Sequence, residues 1–533
     1  MSRSARVSNA PPIVDELVTA CEEGDAGRVH YYLEAGADVD ALVCRESDNG
    51  VTALMAACVC GSAACAKLLL KAGADPERAT AAGHTTLMLA CIHGRTRCAC
   101  SLLHQGADLE RRSASGLTAL MLSCEAGAVG CAGALIRARA NVQRQTEDGF
   151  SALLLASMRG SLGCVKALLA AGAHPNAPTQ DGSTALMAAA DRGLTDCARA
   201  LVAEGADVNL TKRNGVSALM MACHFGHTEC VELLLRAGAR VAHRLEDGAT
   251  SLLLASEGGY APCVRALLGA GASVCERKND GVDALMLACK FGHAECVGAL
   301  VRARAHVDAA NDHGVTPLML AASARSHTVV RALLAAGASV GRADERGRTA
   351  IWWALDLELL HALCAAGARR DELFAQDPEL SRFPPDCQRW LRASRHWCTP
   401  LHHLELISAE RARTLLAAGA NLFAADGDAP PSTNSPTPLS RARALLARGQ
   451  HGQRGACAAQ LVVDASLPWS PRTHALFPPA ARARATQLLR LGRALFADER
   501  FARGGRAVAL SDCWVAHVMP HAVMRDEQRD SSS

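Results

Sequence analysis

Eight cysteines recur at intervals of 33 residues, and thiols in so regular a row suggest a metal site or a redox ladder. Helices in successive copies of a repeat pack about 8–10 Å apart. A disulfide needs Cα atoms about 4.4–6.8 Å apart, and zinc–sulfur bonds are about 2.3 Å long. Packing is the better explanation, because Cys is a small apolar side chain and the next copy has Val329 at this position. The eight residues are Cys65, Cys98, Cys131, Cys164, Cys197, Cys230, Cys263 and Cys296.

A second recurrent cysteine position leads to the same interpretation. Other copies have Ala or Ser there, so the size of the side chain explains the choice. The 23 cysteines therefore indicate a reduced, intracellular protein rather than a disulfide framework. The cysteines at this second position are Cys58, Cys91, Cys124, Cys223 and Cys289.

Near the C-terminus, Cys513, His517 and His521 could share one face of a helix, and such spacing can hold a metal. Pro520 should break that helix and no fourth ligand is evident, so packed side chains are the preferred interpretation. The sequence also lacks the G-x-x-x-x-G-K-[S/T], H-E-x-x-H and G-x-S-x-G motifs. We therefore expect no catalytic activity, no cofactor and no metal.

A repeat of 33 residues positions these side chains. Each copy has a turn with Gly, a short helix such as TALMAACVC, a Gly break, a longer helix such as SAACAKLLLKAG, and a Gly-Ala-Asp exit. Helices this short are marginal alone, so their burial must come from stacking on neighbouring copies. The glycines that open the copies lie at 50, 83, 116, 149, 182, 215, 248, 281, 314 and 347.

Residues 314–322, GVTPLMLAA, with the exit Gly337-Ala338, resemble the ankyrin repeat, whose core is T-P-L-H-x-A-A. The resemblance implies an all-α ankyrin-repeat solenoid of helix-turn-helix units with short β-hairpin-like turns, about thirteen repeats here, and a helical C-terminal cap. Met or Leu usually replaces the family's His, which normally ties each turn to the next repeat through hydrogen bonds. Arg139 and Arg304 replace the exit Gly, so we expect a different cap at these two helix ends.

Departures from the regular phase divide the chain into five parts. The last part begins with a W-S-P-x-x-H-x-L-F-P pattern that resembles the tails of ankyrin proteins from unicellular algae. The predicted parts are an N-terminal segment with a degenerate capping repeat (1–46), the regular array (47–370), a Pro- and aromatic-rich insertion (371–397), atypical repeats with an exposed loop at 427–438 (398–465), and a helical capping module with a disordered end (466–533).

Charge and hydropathy argue against nucleic acid and membrane as partners. Fifty-six Lys and Arg against 53 Asp and Glu give +3, so no global field favours either. The basic tail from residue 437 lacks aromatic stacking platforms. There is no uncharged apolar run of transmembrane length and no signal-peptide core near the start. We expect a cytoplasmic monomer, with the nucleus as an alternative location.

The resemblance also implies a binding surface. Turn tips and the ends of the first helices line the concave side of ankyrin arrays, and these positions vary between copies here while core positions barely change. Aromatic and Arg side chains dominate interface energies, yet aromatics make up only 3% of this chain. The alternative is that the aromatic residues pack between adjacent turns and helices. The predicted partner-binding residues are Phe150, Met158, Arg159, Arg192, Arg213, His224, Phe225, Lys290 and Phe291.

These observations predict a non-catalytic scaffold that binds a partner protein of unknown identity through its concave surface. One alternative is a substrate adaptor of a ubiquitin ligase, in which the array selects the substrate and residues 510–523 of the tail dock the ligase. Another is an enzyme or channel subunit that contains ankyrin repeats. That alternative needs a catalytic domain or membrane spans, and almost the whole chain is already assigned to repeats and cap.

Overall fold

The computed structural model describes residues 12–43, 50–368, 383–393, 409–417, 438–447 and 459–464. It contains two compact units, Met1–Asn279 and Asp280–Ser533. Over the described ranges the regular structure is helical, with isolated β-bridges and no β-strand. The predicted all-α fold with hairpin-like turns is therefore confirmed.

The first unit contains a degenerate helix pair followed by seven regular helix pairs. Its helices are α1 (Pro12–Glu23), α2 (Ala26–Glu34), α3 (Ala53–Cys60), α4 (Ala63–Lys71), α5 (Thr86–Ile92), α6 (Thr96–His104), α7 (Ala119–Ala126), α8 (Val129–Arg137), α9 (Ala152–Arg159), α10 (Leu162–Ala170), α11 (Ala185–Asp191), α12 (Thr195–Ala203), α13 (Ala218–His224), α14 (Thr228–Arg236), α15 (Ser251–Glu257) and α16 (Ala261–Gly269).

One repeat illustrates how the sequence sets these boundaries. The hydroxyl of Ser151 caps α9 by accepting the amide of Leu154 at 3.2 Å. The helix ends at Gly160, whose φ of 81° requires a residue without a Cβ penalty. Before the helix, the amide of Thr146 donates to the carbonyl of Phe150 at 3.0 Å, which closes the hairpin-like turn.

Stacking supplies the burial that these short helices lack. Within the first unit, α9 packs against α7, α10 and α11, and α10 also packs against α8 and α12. The inward-facing residues are Leu, Met, Ala and Cys, and Leu120 and Met121 are almost completely buried. Each such Leu or Met stabilises the fold by about 1.5–3 kcal/mol, so each repeat depends on its neighbours.

The prediction of a different cap at Arg139 is wrong. Its φ is 66°, in the same left-handed region as the exit glycines. Its amide donates to Ile136 at 3.0 Å and the next amide donates to Leu135 at 3.0 Å, the pattern that Gly172 and its successor make with the preceding helix. Arg304, with φ of 63°, repeats this arrangement in the second unit. The stacked fold therefore imposes the cap even where Arg adopts it at a cost.

Backbone hydrogen bonds hold the turns together where the family's His is missing. The Met that replaces this His is buried, as at Met187 and Met220. In the first unit, the amide of Gln180 donates to the carbonyl of Asp148 at 2.9 Å. One repeat further on, the amide of Arg213 donates to the carbonyl of Asp181 at 2.9 Å. Neighbouring turns are thus joined without a His side chain.

The second unit begins with the same repeat and becomes irregular. A core of small and aliphatic residues joins its last two helices to the helical residues 459–464. Its helices are α17 (Ala284–Lys290), α18 (Ala294–Arg302), α19 (Pro317–Ser323), α20 (His327–Ala335), α21 (Ala350–Trp353), α22 (Leu357–Ala365), α23 (Pro385–Ala393), α24 (Ala409–Ala417) and α25 (Pro438–Ala447).

A cluster around Arg348 stabilises the shortened helix α21. The guanidinium is 2.7 Å from the buried carboxylate of Asp344 and lies 4.3 and 4.6 Å from the ring centroids of Trp352 and Trp353. Burial alone raises the pKa of Asp344, but hydrogen bonds from Arg348 and from backbone amides outweigh it, so the pKa lies below its ordinary value. Asp344 is therefore ionised under physiological conditions.

Several predicted segments lie wholly or largely outside the described residues. The insertion at 371–397 is described only at 383–393, where Phe383 and Cys387 are buried. The loop at 427–438 is described only at Pro438, which begins α25. The capping module at 466–533, with its Cys and His residues, is not among the described residues.

Candidate protein-binding groove

A groove of about 410 Å³ lies across three consecutive repeats of the first unit, between their turns and their first helices α9, α11 and α13. Its lining combines thioethers, aliphatic side chains and charged groups. The lining residues are Asp148, Phe150, Leu154, Met158, Thr179, Gln180, Asp181, Ser183, Met187, Ala188, Asp191, Arg192, Lys212 and Met221.

Small side chains in the middle repeat account for this open space. Ala188 occupies the position that Leu155 and Met221 fill 33 residues before and after it. Ser183 likewise occupies the position that Phe150 has in the preceding repeat. The middle repeat thus lacks one large side chain that both neighbouring repeats have and a second that the preceding repeat has, and the space remains open to solvent.

Contacts between neighbouring turns hold the groove in shape. Besides the backbone bonds between turns, Gly149 lies against the next turn, where a Cβ atom would come within 2.7 Å of Thr179 Cα. Gly149 also has φ of 87°, which favours glycine. The binding surface therefore exists before any partner arrives.

The charged groups of the groove differ in their partners. Asp181 accepts hydrogen bonds from Thr179 and Ser183 and lies 3.7 Å from Lys212 Nζ. The Thr179 hydroxyl is the main cause of a pKa lowered to about 2, so Asp181 is anionic and neutralises Lys212. Among the described residues, no side-chain partner is found for the carboxylate of Asp148.

Three of the predicted partner-binding residues, Phe150, Met158 and Arg192, line the groove. Phe150 and Met158 are half-buried, and Arg192 is exposed. The other predicted residues of the first unit lie outside the lining but are exposed at turn tips or helix ends. These are Arg159, Arg213, His224 and Phe225.

Phe225 does not pack as a core residue. Its side chain is 48% exposed, and its ring contacts His224 and His227 of the same repeat at centroid distances of 4.8 and 6.2 Å. His227 in turn hydrogen-bonds through Nε2 to the carbonyl of Asp191 at 2.9 Å. Phe225 is therefore a solvent-accessible aromatic surface held by imidazoles.

Phe291 repeats this arrangement within the second unit. It is 47% exposed and stacks on His293 with ring centroids 6.2 Å apart. Lys290 Nζ lies 5.3 Å from the centroid of its ring, which is a cation–π distance. The placement of both Phe residues weighs against the alternative that they pack between repeats, and their role in binding stays a prediction.

Sequence reasoning missed how far the groove extends beyond those residues. Asp148 and Asp181 precede the turn glycines and are not among the predicted partner-binding residues, yet both line the groove. Met187 and Met221 also line the groove, at helix positions that the sequence pattern assigns to the core. The available signal was Ala188, a small residue where adjacent copies have large ones.

The recurrent cysteines are buried and free of disulfides, in agreement with a packing role. The structure adds that the two cysteine positions meet. A hydrogen bond to Cys98, together with burial, raises the pKa of the Cys58 thiol far above its ordinary value, and Cys91 pairs with Cys131 in the same way. Cys131 Sγ also lies 3.6 Å from Thr96 Oγ1. These thiols connect adjacent repeats.

Neither a metal site nor a membrane-spanning helix is found in the described part of the chain. Within the described ranges, no group of three or more His, Cys, Asp or Glu side chains is placed to hold a metal ion. No helix in the same ranges has the length and apolarity needed to cross a membrane.

Family models for ankyrin repeats match most of the chain. The model of three ankyrin repeat copies matches residues 17–113, 106–179, 172–244 and 237–311, and the single ankyrin repeat model matches 313–345. The chain therefore belongs to the ankyrin repeat family, as the resemblance in the sequence predicted.

Among solved structures, the chain is similar to the human ASB11 ankyrin repeat domain. The sequence identity is 27%, the TM-score is 0.39, and the match covers 41% of this chain and 98% of that domain. No curated protein matches the chain.

Proposed function

We propose that this protein is a non-catalytic scaffold that binds a partner protein through the groove and the neighbouring turn tips and first-helix ends. In ankyrin repeat proteins this side is the concave binding surface. The observation that carries the proposal is the groove itself, which lies where Ala188 is smaller than its equivalents in both neighbouring repeats and Ser183 is smaller than Phe150 in the preceding repeat. Core packing gains nothing from leaving this space open, whereas a partner side chain can fill it.

The contacts between the turns support the same function. The turns are joined by backbone hydrogen bonds of 2.9 Å, so association orders little of this chain and loses little conformational entropy. The lining also offers Phe150, Met158 and Arg192, which belong to the residue types that contribute most to interfaces. We expect the chain to act as a monomer towards this partner and to use no cofactor.

Filling the groove tests the proposal. Ala188→Leu introduces the side chain that Leu155 already places at the equivalent position, so we expect folding to be retained. Full-length wild-type and variant chains are used to capture partners from cells, and each captured partner is then purified and titrated by calorimetry. We expect the variant to bind at least about tenfold more weakly, since the Leu side chain displaces a buried partner group.

The matched control is Lys166→Ala, which removes an exposed side chain from the second helix α10, outside the groove. It should bind as the wild type does. If every captured partner binds the Ala188→Leu variant with unchanged affinity, the groove is not the binding surface.

The ubiquitin-ligase adaptor remains a hypothesis from the sequence, because residues 510–523 lie outside the described part of the chain. It is tested by affinity purification of the full chain beside one that lacks these residues. Recovery of a cullin- or elongin-type subunit with the full chain alone would support it, and recovery with neither would end it.

A further inference from the structure

We infer that the groove takes the Lys or Arg side chain of an extended segment of the partner, with the aliphatic stem on the methionines and the charged head beside Asp148 and Asp191. This inference rests on the proposed function and specifies the chemistry of its partner. Its basis is the combination of an apolar floor with carboxylates that have no cation of their own.

The floor suits a long, unbranched stem. Met158 and Met221 expose part of their side chains to the groove, whereas Met187 and Leu154, which also line it, are almost fully buried. Methionine is flexible and polarisable, so it adapts to the shape of its occupant. Lys and Arg have stems of three or four methylene groups that pack on apolar surface while their heads stay near water.

The carboxylates favour a cation. Within the described residues, neither Asp148 nor Asp191 has a hydrogen bond or an ion pair at its side chain. Asp181 already has Lys212 3.7 Å away, so this pair neither attracts nor repels a charged occupant strongly. The groove therefore offers two available carboxylates to an incoming head group.

The charged residues that line the groove disfavour an acidic occupant. Lys212 is paired with Asp181. Among the lining residues, Arg192 is then the cation that has no carboxylate partner. Arg192 is exposed and carries a single charge against the two carboxylates of Asp148 and Asp191. Phe150 adds a ring face that attracts cations.

The test follows the Met methyl groups of the full-length protein by NMR. Three variants, Met158→Leu, Met187→Leu and Met221→Leu, assign the signals that belong to the groove. The probes are the Nα-acetyl methylamides of lysine, arginine, norleucine and glutamate. Norleucine has an unbranched apolar side chain without the charge, so the lysine–norleucine pair isolates the effect of the ammonium group.

We expect the lysine and arginine probes to shift the three groove signals at lower concentrations than norleucine, and glutamate to leave them in place. Asp148→Asn and Asp191→Asn should each weaken lysine binding by about two- to fivefold, the range for a solvent-exposed ion pair. Neither change should alter norleucine binding. Glu229→Gln removes an exposed carboxylate from α14, outside the groove, and should have no effect.

Three outcomes overturn the inference: equal binding of norleucine and lysine, stronger binding of glutamate, or no shift of the groove signals with any probe. The proposed function is tested separately. If a captured partner is sensitive to Ala188→Leu while the lysine probe fails, the groove binds a partner of other chemistry. If the partner is insensitive to Ala188→Leu, the proposed function itself is wrong.

Discussion

Replacing Arg139 with Gly should stabilise the end of α8. Arg139 has φ of 66°, and a side chain in this left-handed region costs about 1–2 kcal/mol. Glycine avoids that cost, but its greater freedom stabilises the unfolded chain and offsets about 0.5–1 kcal/mol of the gain. With the middle of each range, the net effect of Arg139→Gly is a stabilisation of about 0.8 kcal/mol, and Arg304→Gly should behave alike in the second unit.

Hydrogen exchange of the full-length protein measures this effect locally, which suits a repeat array that need not unfold in one step. The amide of Ala140, which donates to Leu135 at 3.0 Å, should exchange about two to five times more slowly after correction for the neighbouring Gly. Ala138 has φ of −77°, so Ala138→Gly serves as a control and should speed exchange. Faster exchange in Arg139→Gly would refute the claim that the cap is strained.

Three further predictions follow from single contacts. The Asn176 side chain accepts a hydrogen bond from a backbone amide of the next repeat at 2.8 Å and donates one to a carbonyl there at 3.3 Å. Asn176→Ala should therefore lower stability by about 1–2 kcal/mol in urea unfolding. An unchanged unfolding midpoint would contradict this. Phe225→Ala and Phe291→Ala should each cost less than about 1 kcal/mol, since both rings are half-exposed; losses of core size, about 3–5 kcal/mol, would contradict their surface placement. The folded pKa of Asp344 lies below its ordinary 3.8, so its ionised carboxylate stabilises the fold above that value and this stabilisation is lost as the pH falls through the folded pKa. Asp344→Asn and Arg348→Met should flatten this acid dependence of the free energy of unfolding. An unaltered pH profile of unfolding would contradict the prediction.

The repeat and its packing could be predicted from the sequence because they depend on local periodicity. Cys230 recurs in phase with its counterparts, and a position that also accepts Val329 must be a small apolar site. The burial of both residues agrees with this reasoning. The fold class followed from the same periodicity, because short helices with glycine breaks can be buried only by stacking.

Other features depend on the geometry between repeats, which one period does not specify. The contact of Cys91 with Cys131 joins two different positions of neighbouring repeats, so neither series alone predicts it. Arg139 adopts the glycine conformation because stacking outweighs its local preference. The groove depends on Ala188 being smaller than its equivalents, a difference that gains meaning only once adjacent first helices are packed together.

The central claim is that a partner protein occupies the groove of the first unit. Hydrogen exchange of the full-length chain with and without its captured partner tests this most directly. We expect slower exchange in residues 148–158, 180–192 and 212–221, and no such slowing when Ala188→Leu fills the groove. Protection confined to the second helices or to other repeats, with the groove segments unchanged in the saturated complex, would contradict it.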